Sequence, residues 1–182
     1  RNVPWAAAPR WITQPQNFSD AVTSGLEFEL RGRASDLMPQ LMGNAKALNI
    51  RSSLSFYRSS IAALPGPNNR LDGQQPWSAN LGFDQRISGL PLSVGGNLSI
   101  TPGYDTRQTT EQYFKRSSTK GIDLFAMMPL SPTMSLRAAA SAGVQQFGPP
   151  NGRTQTLLSN GDYILTDRYA KPQLNITLDM RL

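Results

Sequence analysis

The sequence predicts an all-β protein, an antiparallel transmembrane β-barrel of which about seven strands lie in this chain. Three observations carry that prediction. Apolar and polar residues alternate through seven segments, and a strand places successive side chains on opposite faces. The polar side of nearly every segment carries charge, as a wall between lipid and a wet lumen requires. The connections alternate between tight and long, as they do where short periplasmic turns face long external loops.

The segments follow in order. In 24–32, Leu26, Phe28 and Leu30 interleave with Glu27, Glu29 and Arg31. In 47–57, Leu48, Ile50, Leu54 and Phe56 oppose Asn49, Arg51, Ser53 and Ser55. In 77–87, Ala79, Leu81, Phe83 and Ile87 oppose Asn80, Asp84 and Arg86. In 90–101, Leu90, Leu92, Val94, Leu98 and Ile100 oppose Ser93, Asn97, Ser99 and Thr101, and the strand is expected to continue past Pro102 towards Gln112 with a kink. In 120–128, Ile122, Leu124, Ala126 and Met128 are set against Lys120 and Asp123, while Phe125 and Met127 interrupt the polar face. In 134–146, Met134, Leu136, Ala138, Ala140, Ala142 and Val144 oppose Ser135, Arg137, Ser141 and Gln145. The final segment, 172–182, is the clearest. Leu174, Ile176, Leu178, Met180 and Leu182 share one face, and Asn175, Thr177, Asp179 and Arg181 the other.

Ser88-Gly89 and 130–133 read as tight turns; 58–76 and 147–171 read as long polar loops. With the C-terminus in the periplasm, both loops fall outside and both turns inside. The 32–46 connection then falls inside, although it is longer than usual. A soluble antiparallel sandwich also alternates and is the competing fold. Segments as long as 134–146 exceed the usual strand of about 5–6 residues, which argues for the barrel.

Composition agrees. Only 38% of the 182 residues are hydrophobic, with 15 Gly and 14 Pro, and no run approaches a membrane-spanning helix of roughly 18 apolar residues. The net charge is +6, but the 18 basic residues are scattered singly without a platform of aromatics, so nucleic acid is not an expected partner. Membrane lipid and lipopolysaccharide suit a basic barrel better. With no His and no Cys, histidine triads, thiol nucleophiles and His or Cys metal ligands are excluded. Glu27 and Glu29 are the one close carboxylate pair, and Arg31 shares their face. No enzymatic chemistry, metal or cofactor is expected.

The polar rows Glu27, Glu29, Arg31, Arg51, Asp84, Arg86, Asp123, Arg137, Asp179 and Arg181 are assigned to the lumen, with ion pairs across adjacent strands settling their charge. Trp77, Phe56 and Phe83 are candidates for an interfacial aromatic girdle or for packing within the wall. Gly95-Gly96 lacks the Lys-Ser/Thr of a phosphate loop and reads as a bend or a close backbone approach. Ligand contacts are expected in the external loops: Arg70 in 58–76; Arg107, Tyr113 and Lys115 in 103–118; Arg153 and Tyr163 in 147–171.

Several segments resemble TonB-dependent outer-membrane receptors. Asn17–Arg31 carries Gly25-Leu26-Glu27-Phe28-Glu29, similar to the G-[ILV]-E-[LF]-E strand that follows an Asn-rich lead in that family. Leu64–Phe83 resembles an external loop closing on a descending strand, and Gly95–Tyr104 and Leu174–Leu182 fit in order. The resemblance covers essentially the whole chain. It implies the last third of a barrel of about 22 strands whose lumen is closed by a plug. It further implies a bacterial outer-membrane receptor that takes up a scarce nutrient such as a ferric siderophore, with TonB acting on the plug. No plug, TonB-interacting segment or signal peptide is found in 1–182, and the chain opens on Arg1, which implies processing or a longer parent. Leu182 stands where outer-membrane proteins commonly end in Phe or Trp, the signal for the barrel-assembly machinery. A small or split barrel with a structural or adhesive role is the alternative.

Overall fold

The computed structural model describes residues 19–42, 47–110, 112–143, 152–157, 161–168 and 171–180. Among the described residues eleven strands form two antiparallel sheets: β1 (Ala21–Arg33), β2 (Leu48–Ile61), β3 (Trp77–Arg86), β4 (Ser93–Thr101), β5 (Tyr104–Arg107), β6 (Tyr113–Arg116), β7 (Thr119–Ser131), β8 (Met134–Gly143), β9 (Gly152–Leu157), β10 (Tyr163–Arg168) and β11 (Gln173–Met180). The larger sheet runs β1-β2-β3-β4-β7-β8-β11, and the smaller β10-β9-β6-β5. The smaller sheet prolongs the larger one. β5 and β6 extend the β4–β7 pair past breaks at 102–103 and 117–118, and β9 and β10 follow β8 and precede β11.

The seven long strands fall where the alternation places them; the expected continuation past Pro102 to Gln112 is corrected, since the strand breaks at 102–103 and resumes only as β5, which ends at Arg107 in the smaller sheet. The 103–118 and 147–171 segments are corrected: the first holds β5 and β6, and the second holds β9 and β10. β2 also runs to Ile61, past the start of the expected 58–76 loop. At the opposite end, α1 (Ala34–Leu37) and α2 (Pro39–Met42) take up part of the long 32–46 connection as two single helical turns. Pro39 opens α2, where its missing N–H costs nothing.

Register proves that the larger sheet is two-faced, because directly opposed residues share a face. One row reads Leu30, Ser52, Leu81, Leu98, Ile122, Ala142, and the next Gly32, Ile50, Phe83, Gly96, Leu124, Ala140, Leu174. Leu26, Phe56 and Trp77 form a row near the 62–76 connection; Met128, Leu136 and Leu178 form one near the turns. Along β7 the apolar span 122–130 measures roughly 26 Å at about 3.3 Å per residue, comparable to a hydrocarbon band once the strand tilts. One expectation fails here: Lys120 sits opposite Ile100, on the apolar face, at the end of the band rather than across from it.

No second layer covers that face. Leu174 is 71% exposed, Ile176 70% and Leu26 57%, and the buried apolar residues are only Ala34, Leu64 and Tyr104 among the described residues. A sandwich would bury these aliphatics between two sheets; here the sheets lie end to end, and the sandwich reading falls. β1 and β11 are the outer strands of the larger sheet, so no closed barrel forms among the described residues.

The glycines and the apparent defects of the polar face explain each other. A Cβ on Gly95 would lie 2.5 Å from the Phe125 ring and 2.7 Å from the Phe83 carbonyl oxygen. Phe125 therefore lies over Gly95, and the Arg137 guanidinium stands 5.5 Å from its ring centroid. An aromatic is tolerated on this side because glycine makes room below and a cation caps it above. Gly96 does the same on the other face beneath Leu124 and Phe83. Phe83 is thus packed midway down the wall, while Phe56 and Trp77 face each other at one end of the band.

Candidate functional site

Two polar regions result, one on the face of the larger sheet and one at the end that carries the long connections. The first holds the residues assigned to a lumen. Glu29 accepts from Arg31 at 2.9 Å on the same strand, Asn49 donates to Asp84 at 3.0 Å across β2–β3, and Ser55 donates to Glu27 at 3.4 Å. Arg51 lies over Gly82, whose Cβ would meet its Nε at 2.6 Å. These residues border a hollow of about 150 Å³ lined by Glu29, Arg31, Arg51, Asn80, Gly82 and Asn97.

The expected cross-strand ion pairs are replaced. Arg31 faces Arg51, Asp123 lies between Asn97 and Ser141, Arg86 faces Ser93, and Asp179 faces Ser135. The bonds to charged groups on this face, among the described residues, are those of Asn49 to Asp84, Ser55 to Glu27 and the same-strand Arg31–Glu29 pair. Arg181 lies outside the described residues.

The second region is built by the 62–76 connection. Asn69 donates from Nδ2 to the Ile61 and Leu64 carbonyls at 3.2 and 3.1 Å, and its own carbonyl accepts from Ile61 N–H at 2.7 Å. Leu71 N–H donates to Ser59 Oγ at 2.9 Å, Ser59 bonds Gln74, and Gln74 donates to Thr23 at 3.1 Å. Leu64 is buried beneath. The connection then docks on the free edge of β5: Arg107 N–H donates to the Asn68 carbonyl at 2.7 Å, and Gln108 to Asp72 at 3.1 Å. What composition marks as a loop is tied down by side-chain-to-backbone hydrogen bonds.

Between this connection and the β5–β6 hairpin opens a cleft of about 540 Å³ lined by Asn68, Arg70, Pro76, Tyr104, Asp105 and Arg116. Tyr104 faces Arg116 across the hairpin, which sets both on one side of it. Thr106, two residues on, is fully buried.

The ligand candidates divide. Arg70 lines the cleft. Arg107 stands 4.5 Å from the Tyr113 ring centroid, and this pair continues through Leu157 to Tyr163 in one row across the smaller sheet. Lys115 is exposed, opposite Asp105 and Gln155. Arg153 is committed to Asp167, bonded through Nε at 2.7 Å and Nη2 at 2.9 Å. Arg107, Tyr113, Lys115, Arg153 and Tyr163 thus lie on strands rather than in irregular loops, and they do not converge with Arg70. Tyr104 and Arg116, which no sequence argument singled out, do. Their only signal is position beside the Pro102-Gly103 break, where a hairpin leaves the wall.

Among the described residues no cluster of Asp, Glu, His or Cys could hold a metal ion, and no helix is long and apolar enough to cross a membrane, which leaves crossing by strands open. No family model, curated protein or solved structure matches the chain.

Proposed function

We propose that the chain is part of the wall of a transmembrane β-barrel in the bacterial outer membrane, from a receptor that takes up a scarce nutrient. One observation carries the reading: a single-layer antiparallel sheet with one continuous, uncovered apolar face and one continuous polar face. In water such a face is unstable, since each exposed large aliphatic forgoes about 1.5–3 kcal/mol of burial. Lipid removes that cost, provided the strand edges are paired. The polar face then lines a lumen, and the long-connection end faces outward, where a ligand first arrives.

The nutrient class suggested by the resemblance to TonB-dependent receptors is a ferric siderophore, with TonB delivering energy to a plug supplied from outside these residues. The barrel-assembly machinery and lipopolysaccharide are the further partners of such a wall, and catalysis has no part in it. A self-contained small barrel is supported less well, because β1 and β11 are not paired with each other. Fractionation of the native protein tests the proposal. It is expected to remain with outer membranes through alkaline carbonate and to leave them only in detergent; recovery in the aqueous extract would overturn it.

A further inference from the structure

We infer that the cleft between the 62–76 connection and the β5–β6 hairpin is an oxyanion site, built for a carboxylate or phosphate group of a small ligand. The inference rests on the transporter reading for the side from which that ligand arrives. The buried side-chain polar atoms without a hydrogen-bond partner, among the described residues, are Arg70 Nε and Nη1, Tyr104 OH, Thr106 Oγ1 and Arg107 Nε. Of these, Arg70 and Tyr104 line the cleft; Arg107 lies on the opposite face of the β5–β6 hairpin from Tyr104, over the Tyr113 ring. A buried donor left without an acceptor is costly, and more so when it is charged.

The Arg70 nitrogens and the Tyr104 hydroxyl can all donate, and the guanidinium nitrogens can do nothing else. The complement they lack is therefore a group rich in acceptors and without donors. Charge selects the same chemistry, because Arg70 and the exposed Arg116 line the cleft with Asp105 as the one acidic residue. A guanidinium fork matches the paired oxygens of carboxylate or phosphate. Tyr104, only 7% exposed, adds a phenolic donor from the floor. The cleft, at about 540 Å³, is larger than the anionic group alone and has room for the molecule that carries it. Asn69 and Ser59 hold the backbone on either side of Arg70 before any ligand arrives. Little ordering is then left to be done on binding.

Calorimetry on the full chain in detergent, with inorganic phosphate and with malonate as probes, tests the site. At least one probe should bind saturably. Arg70→Gln and Arg116→Gln should each weaken binding about tenfold, the effect of losing one charge-assisted contact of roughly 1.4 kcal/mol. Tyr104→Phe, which keeps the ring and removes only the hydroxyl, should weaken it several-fold. Arg168→Gln, which removes an exposed cation on β10, should leave it unchanged. Phosphate binding that lipopolysaccharide displaces assigns the site to lipid phosphates, and malonate binding assigns it to soluble carboxylates; both support an oxyanion site. If neither probe binds, or if Arg168→Gln weakens binding as much as Arg70→Gln, the site is wrong. A chain that stays in membranes yet binds neither probe overturns the site and leaves the barrel standing. A chain that binds but partitions into buffer does the reverse.

Discussion

The larger sheet and the end built from β5, β6 and the 62–76 connection use the same backbone pairing for opposite purposes. The wall buries almost nothing: its aliphatics are exposed on one side and its charges on the other, and glycines admit the few large rings that cross the pattern. The end does the reverse. It holds Leu64, Tyr104 and Thr106 buried, and with them the buried polar atoms that lack partners. A wall that relies on its surroundings for stability needs only a pattern. A site must be closed by contacts between segments distant in sequence, and that is where specific side chains are held.

The largest effect that would break this contrast is charge on the apolar face. Leu178→Arg should cost on the order of 2–4 kcal/mol of membrane stability, while Thr177→Arg, one position away, is tolerated. Urea unfolding from lipid vesicles measures both, and equal behaviour would show the faces to be misassigned. Next comes the wall's internal packing. Gly95→Ala drives a methyl into Phe125 and the Phe83 carbonyl and should cost about 1–3 kcal/mol by the same assay.

At the other end, Asn69→Ala removes both donations to Ile61 and Leu64 and should cost about 1–2 kcal/mol locally. Hydrogen exchange should then rise in 62–76 while β1–β3 stay protected; uniform exchange would mean that the two regions are not separable. The smallest effect is expected for Asp167→Asn, which breaks the partly exposed pair with Arg153. Its cost of about 0.2–1 kcal/mol should shrink at high salt.

The wall was legible because period-two alternation is a property of each strand by itself. Leu174, Ile176 and Leu178 announce their face without reference to any neighbour. Phe125 and Met127 looked like faults, since the glycine that accommodates Phe125 is supplied by β4. The short strands were not legible. Tyr-Asp-Thr-Arg in β5 and Tyr-Phe-Lys-Arg in β6 show no amphipathic period, and they are strands because the hairpin that leaves the wall continues its pairing. The helical turns at 34–42 are too short for any periodicity to appear. Of the candidate site, Arg70 was foreseen from its loop. Tyr104 and Arg116 matter only through the register that sets them opposite each other and the connection that docks beside them.

The central claim is that the uncovered apolar face meets lipid. The chain has no cysteine, so single cysteines can be introduced one at a time from 173 to 180 in the native protein. Each would carry an environment-sensitive fluorophore, with quenchers placed in the lipid chains or in the aqueous phase. The account predicts strict alternation, with 174, 176 and 178 quenched from lipid and 175, 177 and 179 from water. Uniform quenching from the aqueous phase along the strand would contradict it.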